Sequence, residues 1–297
     1  MANPDPVDPA AVPLGTGPPT KAELVAHYPA KFTWRQLKAF VNSGDLGLLK
    51  RDKQLQQRYD QWSVGIKQEY GSMVNYLLQK RLRWGEPDTQ AAIRSVLDDD
   101  PDAYRGGRPD VAAAPVTPLV TQDVVTLPAE ENLPEPPLAF QHEYFTADTP
   151  SELLSVIQND WPYSVPPEVE HTLIWTKLPI VHDALVPASI RARIHQDGLW
   201  GFTGTPPDDP PPSPSHVTDA LPALAEWGVT PDKLVRSPRG TDEEEALVRR
   251  AGREVQEFVK RRWDERVWET AWFVNPQRLQ SIPGLAHIHV FARRKDI

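Results

Sequence analysis

What most limits how this 297-residue chain can fold is the placement of its 33 prolines. Proline fixes φ and removes a backbone donor, and here it gathers at the N-terminus, in PEPP near residue 135 and in the run GTPPDDPPPSPSH. Such stretches bury too little apolar surface to offset the entropy lost on ordering. The sequence therefore predicts a disordered tail over 1–28, a helical segment over 29–97, a Pro- and acid-rich linker over 98–140, and an α+β segment over 141–297 with a Pro-rich insertion at 204–216. Ten tryptophans are a large apolar payload, and neither ordered half is big enough to bury them alone. The segments 29–97 and 141–297 are expected to share one core.

The pattern within those segments predicts helices packed on a small, mainly antiparallel sheet. Thr33 and Gln36 have capping-box spacing ahead of Trp34, Leu37 and Phe40. Leu55, Tyr59, Trp62, Ile66, Tyr70, Met73 and Leu77 recur every three or four residues, the stripe of one long helix. Thr149-Pro150-Ser151-Glu152 looks like a helix start before Leu153, Leu154 and Ile157. Another helix is expected over about 242–262, with Thr241 and Glu244 as its cap and Lys260, Arg261 and Arg262 at its end. Strand-like runs occupy His171–Lys177, Val267–Val274 and Ala286–Ala292.

Several functions are excluded or disfavoured by composition. Without cysteine there is no disulfide, thiolate metal site or cysteine nucleophile. A net charge of −9 disfavours a nucleic-acid partner, and no run is long and apolar enough to span a membrane. The stretch before Lys21 has neither the basic start of a signal peptide nor the arginines of a transit peptide. A cytoplasmic location with nuclear access follows as the expectation. No P-loop, G-x-G-x-x-G or G-x-S-x-G motif occurs.

The chemistry-bearing feature is His287-Ile-His289-Val. On a strand, His287, His289 and Phe291 share one face. Paired imidazoles suit metal ligation or a nucleophile with a supporting base, and the bland alternative is two half-exposed histidines on an edge strand. His171, His182, His195, Asp160, Glu168 and Glu170 lack diagnostic spacing to the pair, so no metal is assigned and no cofactor is implied. Asn159-Asp-Trp161-Pro-Tyr163 places two aromatic rings around a proline, to clamp a flat ligand or to fill the core. His171 opens the next strand and Lys177 closes it, both able to face a pocket.

Taken together, Asn159-Asp-Trp-Pro-Tyr163, His171-Thr-Leu-Ile-Trp-Thr-Lys177, Trp272-Phe-Val-Asn275, Leu279, Ser281 and His287-Ile-His289-Val290 resemble a fungal family of N-acetylglucosamine-induced proteins, a domain of unknown function. Trp34, Leu46, Arg51, Tyr59, Tyr70 and Leu82-Arg-Trp84 fit the same resemblance, which implies a link to amino-sugar response but no reaction. A more distant likeness is to the histidine-triad nucleotide hydrolases and transferases. It implies a histidine nucleophile attacking an α-phosphate, His171 supporting the imidazole, and Asn159, Trp161, Tyr163, Lys177, Asn275 and Ser281 around a nucleotide or sugar phosphate. The sequence departs from that pattern: seven residues separate Tyr163 from His171, Glu170 replaces a glycine, and the triad is one histidine short. One alignment makes His287 the nucleophile and the other makes it His289. Three readings result: a nucleotide or nucleotide-sugar hydrolase or transferase, a non-catalytic regulatory or ligand- or protein-binding module, and a metal enzyme on the histidine pair. The sequence leaves the oligomeric state open.

Overall fold

A computed structural model of the chain describes residues 8–86, 143–182, 185–280, 282 and 284–295. The expected linker over 98–140 and the candidate residue Ser281 lie outside the described residues. No helix among the described residues is long and apolar enough to cross a membrane.

Order begins earlier than the proline pattern predicts. Within the expected tail, Lys21–His27 forms helix α1 with a capping box: Glu23 N–H donates to Thr20 Oγ1 at 3.2 Å, and Thr20 N–H donates to Glu23 Oε2 at 2.7 Å. Glu23 is buried and also accepts from Arg58 at 2.8 Å. Its burial opposes ionisation, but Arg58 and the backbone donors win and hold its carboxyl at about 2. This anchor ties the tail to the next helices and was invisible in composition.

Helix α2 (Trp34–Ser43) starts at the Thr33–Gln36 capping box and stops at Gly44, whose φ of 76° suits glycine. Helix α3 (Lys53–Tyr70) is capped by Asp52 and ends at Gly71. The expected single helix through Leu77 is thus interrupted, and the chain resumes as α4 (Met73–Tyr76) running into a π turn over Leu77–Arg81. The helix expected after Thr149 is instead a 3-10 turn, Ser151–Leu153, followed by strand β1 (Leu154–Gln158). Thr149 Oγ1 is engaged upstream by Thr146 N–H at 2.8 Å, so it caps no helix. Leu154 and Ile157 then pack in different clusters on opposite faces, which a strand allows and a one-faced helix does not.

β1 is the first strand of a five-stranded, wholly antiparallel sheet in the order β1-β2-β5-β4-β3. The others are β2 (Val169–Thr176), β3 (Leu199–Thr203), β4 (Trp268–Val274) and β5 (Ala286–Arg294). Helix α5 (Ala188–Asp197) and β3 carry no strong periodicity and escaped the sequence reading. A short helix, α6 (Val217–Ala220), leads to a 3-10 stretch over Leu221–Trp227. The helix expected over 242–262 is divided at Gly252 into α7 (Asp242–Ala251) and α8 (Arg253–Arg262). A Cβ at Gly252 would lie 2.9 Å from the Trp272 ring, so close packing explains both the glycine and the break.

The sheet has two covered faces. Ile174, Trp272, Ile288 and Val290 meet Ile190, Ile194, Val248, Val255 and Val259 of α5, α7 and α8. On the other face, Ala271, Phe273 and Phe291 meet Trp34, Leu37 and Phe40 of α2 and Val217–Leu224. Leu173 and Trp175 of that same face pack under Leu82, with Met73 and Leu77 against them. The fold is α+β, with the N-terminal helices on an antiparallel sheet. At roughly 1.5–3 kcal/mol per fully buried large apolar side chain, these two layers dominate its stability.

A buried charge cluster reinforces the second face. Glu269 of β4 accepts from Trp34 Nε1 at 2.7 Å, Lys38 Nζ at 2.8 Å and Arg293 at 3.0 Å. Lys38, fully buried, also reaches Asp209 at 2.8 Å, which pins the Pro-rich 204–216 stretch to α2.

Candidate functional site

The histidine pair lies on the central strand, not at an edge. β5 is flanked by β2 and β4, so Trp175 stands opposite His287, Leu173 opposite His289 and His171 opposite Phe291. The edge-strand alternative is therefore corrected, and His287 and His289 are 7 % and 5 % exposed rather than half exposed. His171 projects from the same face two residues along the neighbouring strand, the diagonal spacing at which long side chains still meet.

Hydrogen bonds set the proton on each ring. Trp161 N–H donates to Asn159 Oδ1 at 3.0 Å, which leaves Asn159 Nδ2 to donate to His171 Nδ1, 3.3 Å away. His171 must then carry its proton on Nε2 and donate to His289 Nδ1 at 3.0 Å. His289 in turn carries its proton on Nε2, 3.3 Å from Asn275 Nδ2. A half-turn of that carboxamide presents its oxygen as the acceptor. In this relay His289 has no free lone pair.

His287 is arranged differently. Its Nδ1 lies 3.1 Å from the carbonyl oxygen of Leu285, which can only accept, so Nδ1 is protonated. Nε2 of a neutral ring is then an unprotonated lone pair, and no described residue bonds it. The ring lies tilted against Trp175, with centroids 4.3 Å apart. Burial, slightly opposed by the Leu285 bond, lowers the His287 pKa. Burial foremost, then His287, His171 and Arg51, holds His289 well below the usual imidazole range. His171 is lowered likewise, by burial first and then by Arg51 and His287. All three rings stay neutral near pH 7.

His287 and His289 line a cleft of about 100 Å³ under α3 and α4. Its walls include Asn159, Trp161 and Tyr163 from the motif after β1, with Trp62 and Tyr76 above. Tyr163 stacks on both His171 and His289, at 5.1 and 5.9 Å between centroids, and Phe273 stacks on His289 at 4.4 Å. Trp161 both packs and lines: it is 5 % exposed and sits in a cluster with Tyr28 and Leu55. Its indole N–H and that of Trp175 are buried without a partner among the described residues.

Two charged residues also line the cleft: Arg51, and Asp160, which the sequence offers only as a possible metal ligand. Arg51 donates through Nε and NH2 to the Trp161 carbonyl, at 3.1 and 3.0 Å, and through NH1 to Gln56. Three of its five N–H groups are thus committed and two remain. Asp160 is held by Arg81 at 2.6 and 2.7 Å; burial raises its pKa and the Arg81 charge opposes that rise. Arg51 gave no local signal beyond its place in the family resemblance. Trp62 reads as core because its helical spacing does not say what it faces, and Tyr76 falls outside the apolar stripe.

The remaining candidates lie elsewhere. Lys177 rests over the Trp84 ring, 5.1 Å from its centroid, and does not line the cleft. His182 stacks on Tyr144 at 5.0 Å, and His195 is in the last turn of α5. Among the described residues no group of three or more His, Asp or Glu could hold a metal ion.

The profile of a family described as "Protein of unknown function (DUF3605)" matches residues 33–196 and 235–293. No curated protein matches the chain. A solved structure titled "Crystal Structure of HTC1" is similar over 88 % of this chain and 84 % of its own, at 19 % identity and a TM-score of 0.36. A likeness that distant supports no argument about function.

Proposed function

We propose, for a chain that belongs to this DUF3605 family of unknown function, that the cleft is a nucleotidyl-transfer site with His287 as nucleophile, acting on a nucleotide or nucleotide-sugar. The observation that carries the reading is the His287 tautomer. A carbonyl fixes Nδ1–H, and the Nε2 lone pair is left unbonded at a cleft. A neutral, desolvated imidazole is a competent nucleophile near pH 7. The two free N–H groups of Arg51 supply donors for non-bridging phosphate oxygens. At about 100 Å³ the cleft is below the usual ~300–1,000 Å³ of ligand sites, so it takes a phosphoryl group and the rest of the substrate lies at its mouth.

Nε2 forms a bond to the α-phosphorus, and the bond from phosphorus to the bridging oxygen breaks, its pair leaving with the sugar phosphate. Water, releasing its proton to solvent, or the oxyanion of another phosphate then attacks phosphorus, the N–P bond breaks with its pair returning to Nε2, and His287 is again neutral. The third place on this strand face is Phe291, packed against α2. His289, the imidazole next to His287 on this face, has both ring nitrogens engaged by His171 and Asn275, so none is free to protonate a leaving group, which favours a phosphate leaving as an anion over an amine or alcohol. His289 and His171 act as positioning residues, holding a neutral polar wall beside the nucleophile. The resemblance to N-acetylglucosamine-induced proteins supports an amino-sugar nucleotide as substrate.

Phe291 also supports a second reading, a regulator that holds the same ligand without turning it over. Steady-state and binding measurements on the wild type, His287→Asn and His289→Gln separate the two. A nucleophile requires His287→Asn to lose turnover by at least about 10³-fold while ligand binding persists. The regulator reading holds if the wild type binds but never turns over. Binding and turnover both unaffected in His287→Asn would exclude this site from either role.

A further inference from the structure

A second cleft, of about 990 Å³, opens beside β3, the edge strand farthest from β1. Its floor is Trp200, Gly201 and Trp272. Gln256 makes that floor rigid: it accepts from Trp272 Nε1 at 2.6 Å and donates to the Phe202 carbonyl at 2.7 Å. There is no space for a side chain at Gly201, where a Cβ would lie 2.6 Å from the Trp272 ring. The concavity is therefore formed by packed backbone and rings before any ligand arrives.

The lining charge runs against the chain's net −9. Six arginines face two carboxylates: Arg193 of α5, Arg236 and Arg239 before α7, Arg249 and Arg250 of α7, and Arg253 of α8, against Asp197 and Glu245. Both carboxylates are already engaged. Glu245 accepts from Arg193 at 2.7 and 3.0 Å and from Gly240 N–H at 3.0 Å. Asp197 accepts from Ser237 N–H at 3.0 Å. Arg249 and Arg250 have no partner among the described residues, and Arg236 donates only to the Pro214 carbonyl, at 2.8 Å. Arg239 pairs with Asp242 at 3.4 Å and Arg253 with Glu254 at 3.0 Å. Arg249 and Arg250 thus line one concave space with their donors uncommitted, beside four arginines that are partly engaged. Concave, low-dielectric walls concentrate such a field, and guanidinium forks match phosphate oxygens in geometry.

The family match omits residues 197–234. That stretch supplies Trp200–Phe202 and Ser213–Ser215 to the walls, whereas the arginines come from the matched helices and the loop before them. The two parts together close a space within the ~300–1,000 Å³ of small-ligand sites, not an open track for a polymer.

We infer that this cleft binds a small molecule carrying two or more phosphates, at a place separate from the His287 cleft. The site needs no chemistry at His287, so it stands whether or not that residue is a nucleophile.

Isothermal titration of the full chain with inorganic tripolyphosphate and with ATP tests it. Both probes should bind, more weakly as salt is raised. Arg249→Glu/Arg250→Glu, both on exposed positions, should weaken binding by at least about tenfold with the melting temperature of the free protein unchanged. His287→Asn should leave tripolyphosphate affinity intact. Absence of binding at millimolar probe, unchanged affinity in the double variant, or a loss confined to His287→Asn would each overturn the assignment. So would binding of an RNA oligomer by a protein that takes up neither small probe.

Discussion

Acid should unfold this protein early, and through its central strand. His171, His287 and His289 are 1 %, 7 % and 5 % exposed, and burial lowers the pKa of each. A group whose folded pKa lies below its unfolded value binds fewer protons when folded, so stability falls as pH drops through the unfolded pKa near 6.5 and stops falling at the folded one. Stability is fully present above about pH 7. One unit below 6.5, each imidazole that stays neutral in the fold costs about 1.4 kcal/mol. His171 and His289, both lowered well below the usual range, together cost roughly 3 kcal/mol at pH 5.5, and His287 adds part of a further unit. That is a large share of a typical 5–15 kcal/mol. The relay adds a geometric reason: a second proton on His289 would point at the Nε2–H of His171 across 3.0 Å. Urea denaturation at pH 7.5, 6.5 and 5.5 measures the loss, and His171→Asn should remove about one proton from the slope. A wild-type loss under about 1 kcal/mol between pH 7.5 and 5.5, or an unchanged slope in His171→Asn, would refute the neutral relay.

Two further perturbations test how the two faces are held. Lys38→Met leaves Glu269 buried with one cation fewer and frees Asp209, so it should cost about 3 kcal/mol by denaturant titration and expose the 204–216 stretch to protease. A cost under about 1 kcal/mol would mean that Trp34 and Arg293 suffice to hold the carboxylate. Gly198→Ala puts a Cβ 2.2 Å from the Val274 carbonyl at a φ of 78°. It should lower the melting temperature by roughly 5–10 °C, whereas Gly65→Ala, with open space around its Cβ position, should be neutral or slightly stabilising.

The parts of the fold that were legible in sequence are those whose local signal and tertiary role agree. The Thr33–Gln36 and Thr241–Glu244 capping boxes start helices as their spacing predicts, and β2, β4 and β5 are rich in β-branched and aromatic residues. Where local and tertiary preferences compete, the sequence misleads. Thr149-Pro-Ser-Glu has every helix-start residue, yet pairing with β2 makes Leu154–Gln158 a strand. Composition hid α1 because its anchor, Glu23 with Arg58, depends on a helix 35 residues away. At the site, alternation was enough to put His287, His289 and Phe291 on one face, and the structure brings His171, Asn159, Tyr163 and Asn275 to them. Arg51 was unreadable because its place depends on the Trp161 carbonyl, 110 residues away, which its guanidinium bonds. Lys177 was misplaced because strand periodicity gives a face but not a neighbour, and its neighbour is Trp84.

The most direct test of His287 is to trap the covalent species. The protein would be mixed with a nucleotide-sugar labelled at the α-phosphate, quenched in alkali to preserve an N–P bond, and mapped by peptide mass spectrometry. A nucleotidyl group on the His287 peptide, absent from His287→Asn and retained in Lys177→Ala, is the expected result. Turnover without an adduct, an adduct on His289, or neither turnover nor adduct with any nucleotide tried would contradict a His287 nucleophile.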